Sequence, residues 1–156
     1  MRKFATAVAA VLLIGMVAAP AAATPPVEVE ILVETALSGD PSPFVASGPA
    51  VDNGVVCASG TVVNARGMVT GNSPVGFNFL GIKHFTCDDG SGEFFVNLEA
   101  RIDFRRGDKF RWNVLSGTGA YSDLHGAGSG IGLGGVPCGD PDVCVLDIYT
   151  GGLHLD

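Results

Sequence analysis

Positive charge is scarce in this 156-residue chain, with nine Lys and Arg against 16 Asp and Glu. Two of the nine, Arg2 and Lys3, sit at its very start. An acidic chain is repelled by phosphate backbones, so no nucleic-acid partner is expected. Helical periodicity is also missing after residue 23. Glycine and proline, 23 and nine in all, instead punctuate short runs of β-branched and aromatic residues. That is the pattern of an all-β chain. Several spacings that mark particular chemistries are absent. Without a C-x-x-C pair, a four-cysteine zinc site has little support. There is no G-x-x-x-x-G-K-[ST] phosphate loop and no G-x-S-x-G nucleophile elbow. Gly130-x-Gly132-x-x-Gly135 has dinucleotide spacing, but Val136-Pro137-Cys138 follows it instead of a helix, and no βαβ unit surrounds it. The acidic loops Asp88-Asp89 and Asp140-x-Asp142 offer oxygen ligands but too few for calcium, and read as solvated turns. Neither a metal nor a cofactor is expected.

The amino-terminal residues have the order of a signal peptide. Arg2 and Lys3 precede an uncharged apolar run, Phe4 to Val17, and Ala21-Ala22-Ala23 supplies a small-residue cleavage motif. Cleavage is placed after Ala23, which leaves residues 24–156 as one domain in an extracellular protein. The run is short for a membrane span, which needs ~20 apolar residues. No membrane association is expected after cleavage. Cys57, Cys87, Cys138 and Cys144 all follow residue 23. An even count in an exported chain points to disulfides. The pairs Cys57–Cys87 and Cys138–Cys144 are preferred, the second bracketing the turn GDPDV, while the other pairings stay open.

Strand periodicity is clearest in Glu93 to Phe104. Phe94, Val96, Leu98, Ala100, Ile102 and Phe104 share one face, and Phe95, Asn97, Glu99, Arg101 and Asp103 the other. Similar runs are Val27–Leu37, the short piece Phe44–Ala46, Val55–Asn64, Phe77–Thr86, Lys109–Leu115 and Cys144–Leu155. Pro49 to Gly54 reads as a turn, Arg66-Gly67 as a strand break, Gly71 to Pro74 as a turn and Asp88 to Gly92 as a hairpin loop. From Gly126 to Gly134 glycine occupies every second position, opposite His125, Ala127, Ser129, Ile131 and Leu133. One face of that strand is bare. A bare face admits a neighbouring backbone or aromatic ring and suits a sharply curved sheet. Among all-β architectures this favours a single closed antiparallel β-barrel of about eight strands, linked by disulfides, over a sandwich.

The segment Trp112 to Gly130, WNVLSGTGAYSDLHGAGSG, resembles the W-x-V-x-x-GTGAY-x-x-L-x-G-x-G segment of secreted bacterial proteins with an allene-oxide-cyclase-like or dirigent-like barrel. FTCDDGSGEFFVNLEAR upstream and DIYTGGLH at the end are similar to the same group, so the resemblance spans roughly Val55 to His154. It implies an eight-stranded antiparallel barrel with a central apolar cavity. Gly117, Gly119, Tyr121 and Gly126 match its glycine-turn motif as structural residues, and Gly128 and Gly130 continue the alternation. No catalytic residue of that group maps onto this chain.

Candidate cavity or mouth residues are Glu99, Arg101, Trp112, Tyr121 and His125. Glu99 and Arg101 either form a solvated outer face or pair across a cavity mouth, since buried charges must be paired. The outer face is the preferred reading. His125 beside Asp123 and near Ser122 forms a local polar cluster, for which backbone bonding within a turn is the ordinary role. Trp112, Tyr121 and Phe77, Phe79, Phe94, Phe95 and Phe110 belong to the core or line a ligand pocket. Three functions follow. The first is a non-enzymatic barrel holding a small apolar molecule, the second a cyclase- or dirigent-type enzyme acting inside the barrel, and the third an exported structural or interaction module with a filled barrel. The first is preferred, and whether the protein is an enzyme stays open.

Overall fold

The computed structural model describes residues 24–36, 41–137 and 143–156. The expected signal peptide, Cys138 and Asp140-x-Asp142 lie outside the described residues. Eight antiparallel strands close into a barrel in chain order. They are β1 (Val27–Ala36), β2 (Ser42–Ser47), β3 (Ser59–Ser73), β4 (Gly76–Cys87), β5 (Glu93–Asp103), β6 (Asp108–Gly117), β7 (Leu124–Pro137) and β8 (Val143–Leu155). The last strand returns to the first, in register from Val27↔Leu153 to Ala36↔Cys144.

Three local expectations need correcting. Pro49–Asp52 is not an open turn but a short helix, α1, whose Ala50 is fully buried under the barrel end. The strand expected at Val55 begins at Ser59, because Val55 to Ala58 leads away from α1 and delivers Cys57 to its disulfide. Arg66-Gly67 does not break β3. The strand absorbs the irregularity as a bulge between Asn64 and Arg66 and runs on to Ser73.

The apolar parity of each strand faces inward. Val29, Ile31 and Val33 of β1, Phe44 and Ala46 of β2, and Phe94, Val96, Leu98 and Ala100 of β5 are all buried. At one end of the barrel these positions are filled by rings. Phe85 stacks on Phe94 with centroids 4.8 Å apart, and meets Phe44 edge-on at 5.2 Å and Tyr149 at 6.0 Å. The Gly119–Tyr121 turn closes the same end. There Tyr121 packs edge-on against Phe94, and its hydroxyl lies 2.7 Å from Ser91 Oγ. Gly119 sits at φ +61°, where a Cβ would lie 2.4 Å from the Ser91 carbonyl oxygen. The Cys57–Cys87 disulfide ties the segment after α1 to the end of β4 here. Cys144 is also disulfide-bonded, while its expected partner Cys138 lies outside the described residues.

The bare face of β7 also points inward, and its glycines grade from filled to empty. A Cβ on Gly128 would lie 2.8 Å from the Trp112 ring, and one on Gly130 2.2 Å from the Phe110 ring. One on Gly132 would meet Asp108 Cβ at 2.9 Å, and one on Gly134 would meet nothing within 4 Å. The rings of β6 therefore occupy the space that the first glycines leave. Because β6 begins at Asp108, no larger side chain among the described residues covers the last ones. Among the described residues the barrel is packed at one end and hollow at the other.

The short β2 leaves the second half of β3 with a single partner among the described residues. Its pairing with β3 stops at Ser42↔Val62. From Asn64 onward β3 pairs with β4 alone among the described strands. Met68 and Val69 are consequently more than half exposed.

Candidate functional site

The hollow end encloses a cavity of about 760 Å³. Its wall is mostly apolar, with Phe77 and Phe79 of β4, Leu98 and Ile102 of β5 and Phe110 of β6. Phe79 holds its place because Gly67 and Gly81 beside it have no side chains; a Cβ on either would lie within 2.7 Å of its ring. Phe77 meets Phe104 edge-on at 5.9 Å beside the rim.

Seven polar side chains break this wall: Lys83, Asp147, Asp108 and Thr35, and also Asn64, Asp103 and Arg105. Lys83 follows the inward parity of β4, two residues from Phe85, and is only 5% exposed. Asp147 follows the inward parity of β8, two residues from Tyr149, and accepts a 2.6 Å hydrogen bond from Thr35 Oγ1 of β1. Asp108 opens β6 and accepts a bond from the Asp103 backbone N–H at 3.2 Å. The bare Gly132 leaves room for both carboxylates. A Cβ there would lie 3.0 Å from Asp147 Oδ1 and 3.1 Å from Asp108 Oδ2. Lys83 attracts Asp147 without forming a direct ion pair, since no Lys–carboxylate pair lies within bridging distance among the described residues. Next to Asp147 on the same face, the Tyr149 hydroxyl is buried with no hydrogen-bond partner. A buried hydroxyl left unpaired costs roughly 1–3 kcal/mol. The ring of Tyr149 packs among Phe85, Phe110 and Trp112, beneath the residues that line the cavity.

Burial controls the protonation of these groups. Desolvation lowers the Lys83 pKa, with attraction to Asp147 opposing it. It raises that of Asp147, against the Thr35 hydrogen bond and the Lys83 charge, with Asp108 adding to the rise. Asp108 is raised for the same first reason, and the Tyr149 hydroxyl is raised well above its ordinary value. The stabilising contribution of Asp147 is full below the ordinary Asp pKa and is lost as pH rises through its folded value. Lys83 works in the opposite direction. Its contribution is present above about pH 10.5, its ordinary value, and is lost as pH falls through its lowered folded value. The wild type should therefore gain stability relative to Lys83→Met as pH climbs toward 10.5. Urea unfolding at a series of alkaline pH values checks this, and a gap moving the other way contradicts it.

The candidates taken from the sequence are scattered. Glu99 and Arg101 stand on the outer face of β5, opposite Arg111 and Lys109 of β6, and border a groove on the outside of the sheet. They do not reach the cavity mouth, because the inward parity of β5 belongs to its apolar set. His125 is also outside, 57% exposed, with Nε2 3.3 Å from Asp156 Oδ2. Ser122 bonds Asp123 at 3.2 Å, so the Ser122–Asp123–His125 cluster is not joined into one chain of bonds. Trp112 does face inward, but as filling; it covers Gly128 and Gly151 and donates from Nε1 to the Ser129 carbonyl at 3.1 Å. Tyr121 plugs the opposite end from the cavity. Phe95 is outside, stacked on His84 at 4.3 Å, and His84 Nε2 lies 2.9 Å from Glu93 Oε2. Asp89 accepts bonds from the Ser91 backbone N–H and hydroxyl, as a turn residue does. Among the described residues no group of three or more His, Cys, Asp and Glu is placed to hold a metal.

Lys83, Asp108 and Thr35 belong to no motif, and Asp147 and Tyr149 lie in the DIYTGGLH segment, where nothing in the sequence singles out either. The signal that finds Lys83 and Asp147 is a charge on the apolar parity of a strand. Fold and site together define an eight-stranded barrel with an end-opening cavity, apolar in its walls and polar at one patch. No family model, curated protein or solved structure matches the chain.

Proposed function

We propose that this protein is a secreted barrel that holds a small, mainly apolar molecule in its end cavity. The observation that carries the reading is the graded filling of the β7 glycine face, which leaves about 760 Å³ lined by rings and aliphatic side chains. That volume is in the ordinary range for small-molecule sites, ~300–1,000 Å³, and the mixture of apolar wall and few polar groups is typical of them. Disulfides support an extracellular location. The resemblance of the Trp112–Gly130 segment to allene-oxide-cyclase-like and dirigent-like barrels supports the same reading, since an apolar central cavity is what it implies.

The test is a side chain placed where the cavity is empty. Gly134 borders the cavity, its φ is not in the left-handed region, and a Cβ there meets nothing within 4 Å. Gly134→Phe is expected to leave the melting temperature nearly unchanged and to weaken binding of the neutral probe N-phenyl-1-naphthylamine at least about tenfold, through loss of contact area. Equal binding by variant and wild type, or none by either, would count against the cavity as the site.

A second reading, a cyclase- or dirigent-type enzyme, is favoured by one observation. Lys83, Asp147 and Asp108 place ionisable groups inside a largely apolar chamber, which is where acid–base groups are tuned. The filled-barrel module has less support, because only one end of the barrel is filled.

A further inference from the structure

We propose that the cavity takes a carbonyl compound, an apolar aldehyde or ketone, and that Lys83 Nζ condenses with it to a reversible imine. This rests on the reading of the cavity as a ligand site and names the chemical class of the ligand.

Three observations converge. Lys83 is the one amine lining the cavity, and it is 5% exposed although no hydrogen bond or ion pair fixes its ammonium among the described residues. A lysine kept only as a structural charge would be expected to close on Asp147, whose carboxylate is instead held by Thr35 Oγ1 at 2.6 Å. Two carboxyl groups, Asp147 and Asp108, flank the bare Gly132 on the same wall, with the Tyr149 hydroxyl unpaired nearby. Imine formation needs such a set: an amine that can lose its proton, acids to hand protons to oxygen, and a site that sheds water. Desolvation favours the neutral amine and the protonated carboxyl, both in the direction the reaction uses.

The step balances without a redox partner. The Lys83 lone pair attacks the carbonyl carbon and forms a C–N bond, while the carbonyl oxygen takes up a proton. The carbinolamine then loses that oxygen as water, its two hydrogens matching the two lost by nitrogen. Asp147 or Asp108 relays the protons. The C=O bond is exchanged for C=N, and one water leaves.

The non-covalent alternative, an anionic apolar molecule paired with Lys83 or with Arg105, which also lines the cavity, would leave no trapped adduct on Lys83.

Lysine is rare enough for a clean test. Apart from Lys3 in the leader, the chain has only Lys83 and Lys109, and Lys109 is exposed on β6. Disulfide-intact protein lacking the leader is treated with decanal and sodium cyanoborohydride near neutral pH and then mapped by peptide mass. Trapping adds the mass of decanal less one oxygen. Labelling of Lys83 should exceed that of Lys109 and of the α-amine at least about tenfold, and decan-1-ol, which binds without condensing, should compete it away. Lys83→Met should keep decan-1-ol binding in native mass spectra and lose the label. If the variant fails to fold, the ratio of Lys83 to Lys109 labelling in the wild type decides alone. Labelling of Lys109 or the α-amine equal to that of Lys83, with decan-1-ol still bound, overturns the carbonyl inference and leaves the ligand site standing. Failure of both decan-1-ol binding and trapping overturns both.

Discussion

Gly130→Val is expected to unfold the barrel or to cost roughly 4 kcal/mol or more of stability. The Cβ alone would lie 2.2 Å from the Phe110 ring and 2.3 Å from the Ile148 carbonyl oxygen. The second contact is the decisive one. A ring can tilt, but Ile148 belongs to the β7–β8 ladder, where Ile131 is its partner. Relief requires the two strands to separate, and the valine methyls add to the crowding. Domains are stable by only about 5–15 kcal/mol, so a loss of this size removes much of the margin. Gly134→Val, four residues along the same face, is the internal control and should change stability by less than about 1 kcal/mol, since nothing lies within 4 Å. Urea unfolding can be followed through Trp112, the only tryptophan in the chain. Equal midpoints for the two variants would refute the graded-filling account of β7.

Phe85→Ala carries the second large effect, a loss of about 3–5 kcal/mol. Phe85 has no exposed surface and touches three rings, stacking on Phe94 and meeting Phe44 and Tyr149 edge-on. Burial of the ring supplies most of that, and the ring–ring geometry adds a further ~1 kcal/mol. The surrounding strands are hydrogen-bonded on both sides, so the space left by the ring cannot collapse fully. The position is also two residues below Lys83 on the same face of β4. Truncation should therefore deepen the cavity as well as weaken the fold. Phe104→Ala, at a site 64% exposed, should cost no more than about 1 kcal/mol. A Phe85→Ala variant as stable as Phe104→Ala would mean that the ring cluster is not the core of this protein.

Much of this architecture was legible in the chain. The alternation of Phe94, Val96, Leu98 and Ala100 against Asn97, Glu99 and Arg101 identified β5 and its inward face, because period two is the direct signature of a half-buried strand. The glycines at Gly126, Gly128 and Gly130 indicated a close approach, and the structure places Leu153, Trp112 and Phe110 against them. The Cys57–Cys87 pairing was also within reach. The β3 bulge was not, since Arg66-Gly67 has the composition of a turn and only the partner strand β4 shows that the ladder continues. The site was the least legible part. Lys83 and Asp147 lie 64 positions apart in the numbering, on β4 and β8, and meet only because both strands face the barrel axis. Glu99 and Arg101 attracted notice as charges in a strong strand and His125 as part of a local polar cluster in a turn, yet all three side chains face solvent. Composition draws attention to the polar residues, but a barrel hides the ones that line its cavity on its apolar parity.

The central claim is that the hollow end holds a ligand, and native mass spectrometry of disulfide-intact protein, purified without added ligand, tests it most directly. The account predicts a reproducible adduct of small-molecule mass that is lost on denaturation and is absent from Gly134→Phe. An adduct retained undiminished by Gly134→Phe, or a bare mass together with no uptake of decan-1-ol or N-phenyl-1-naphthylamine, would contradict it.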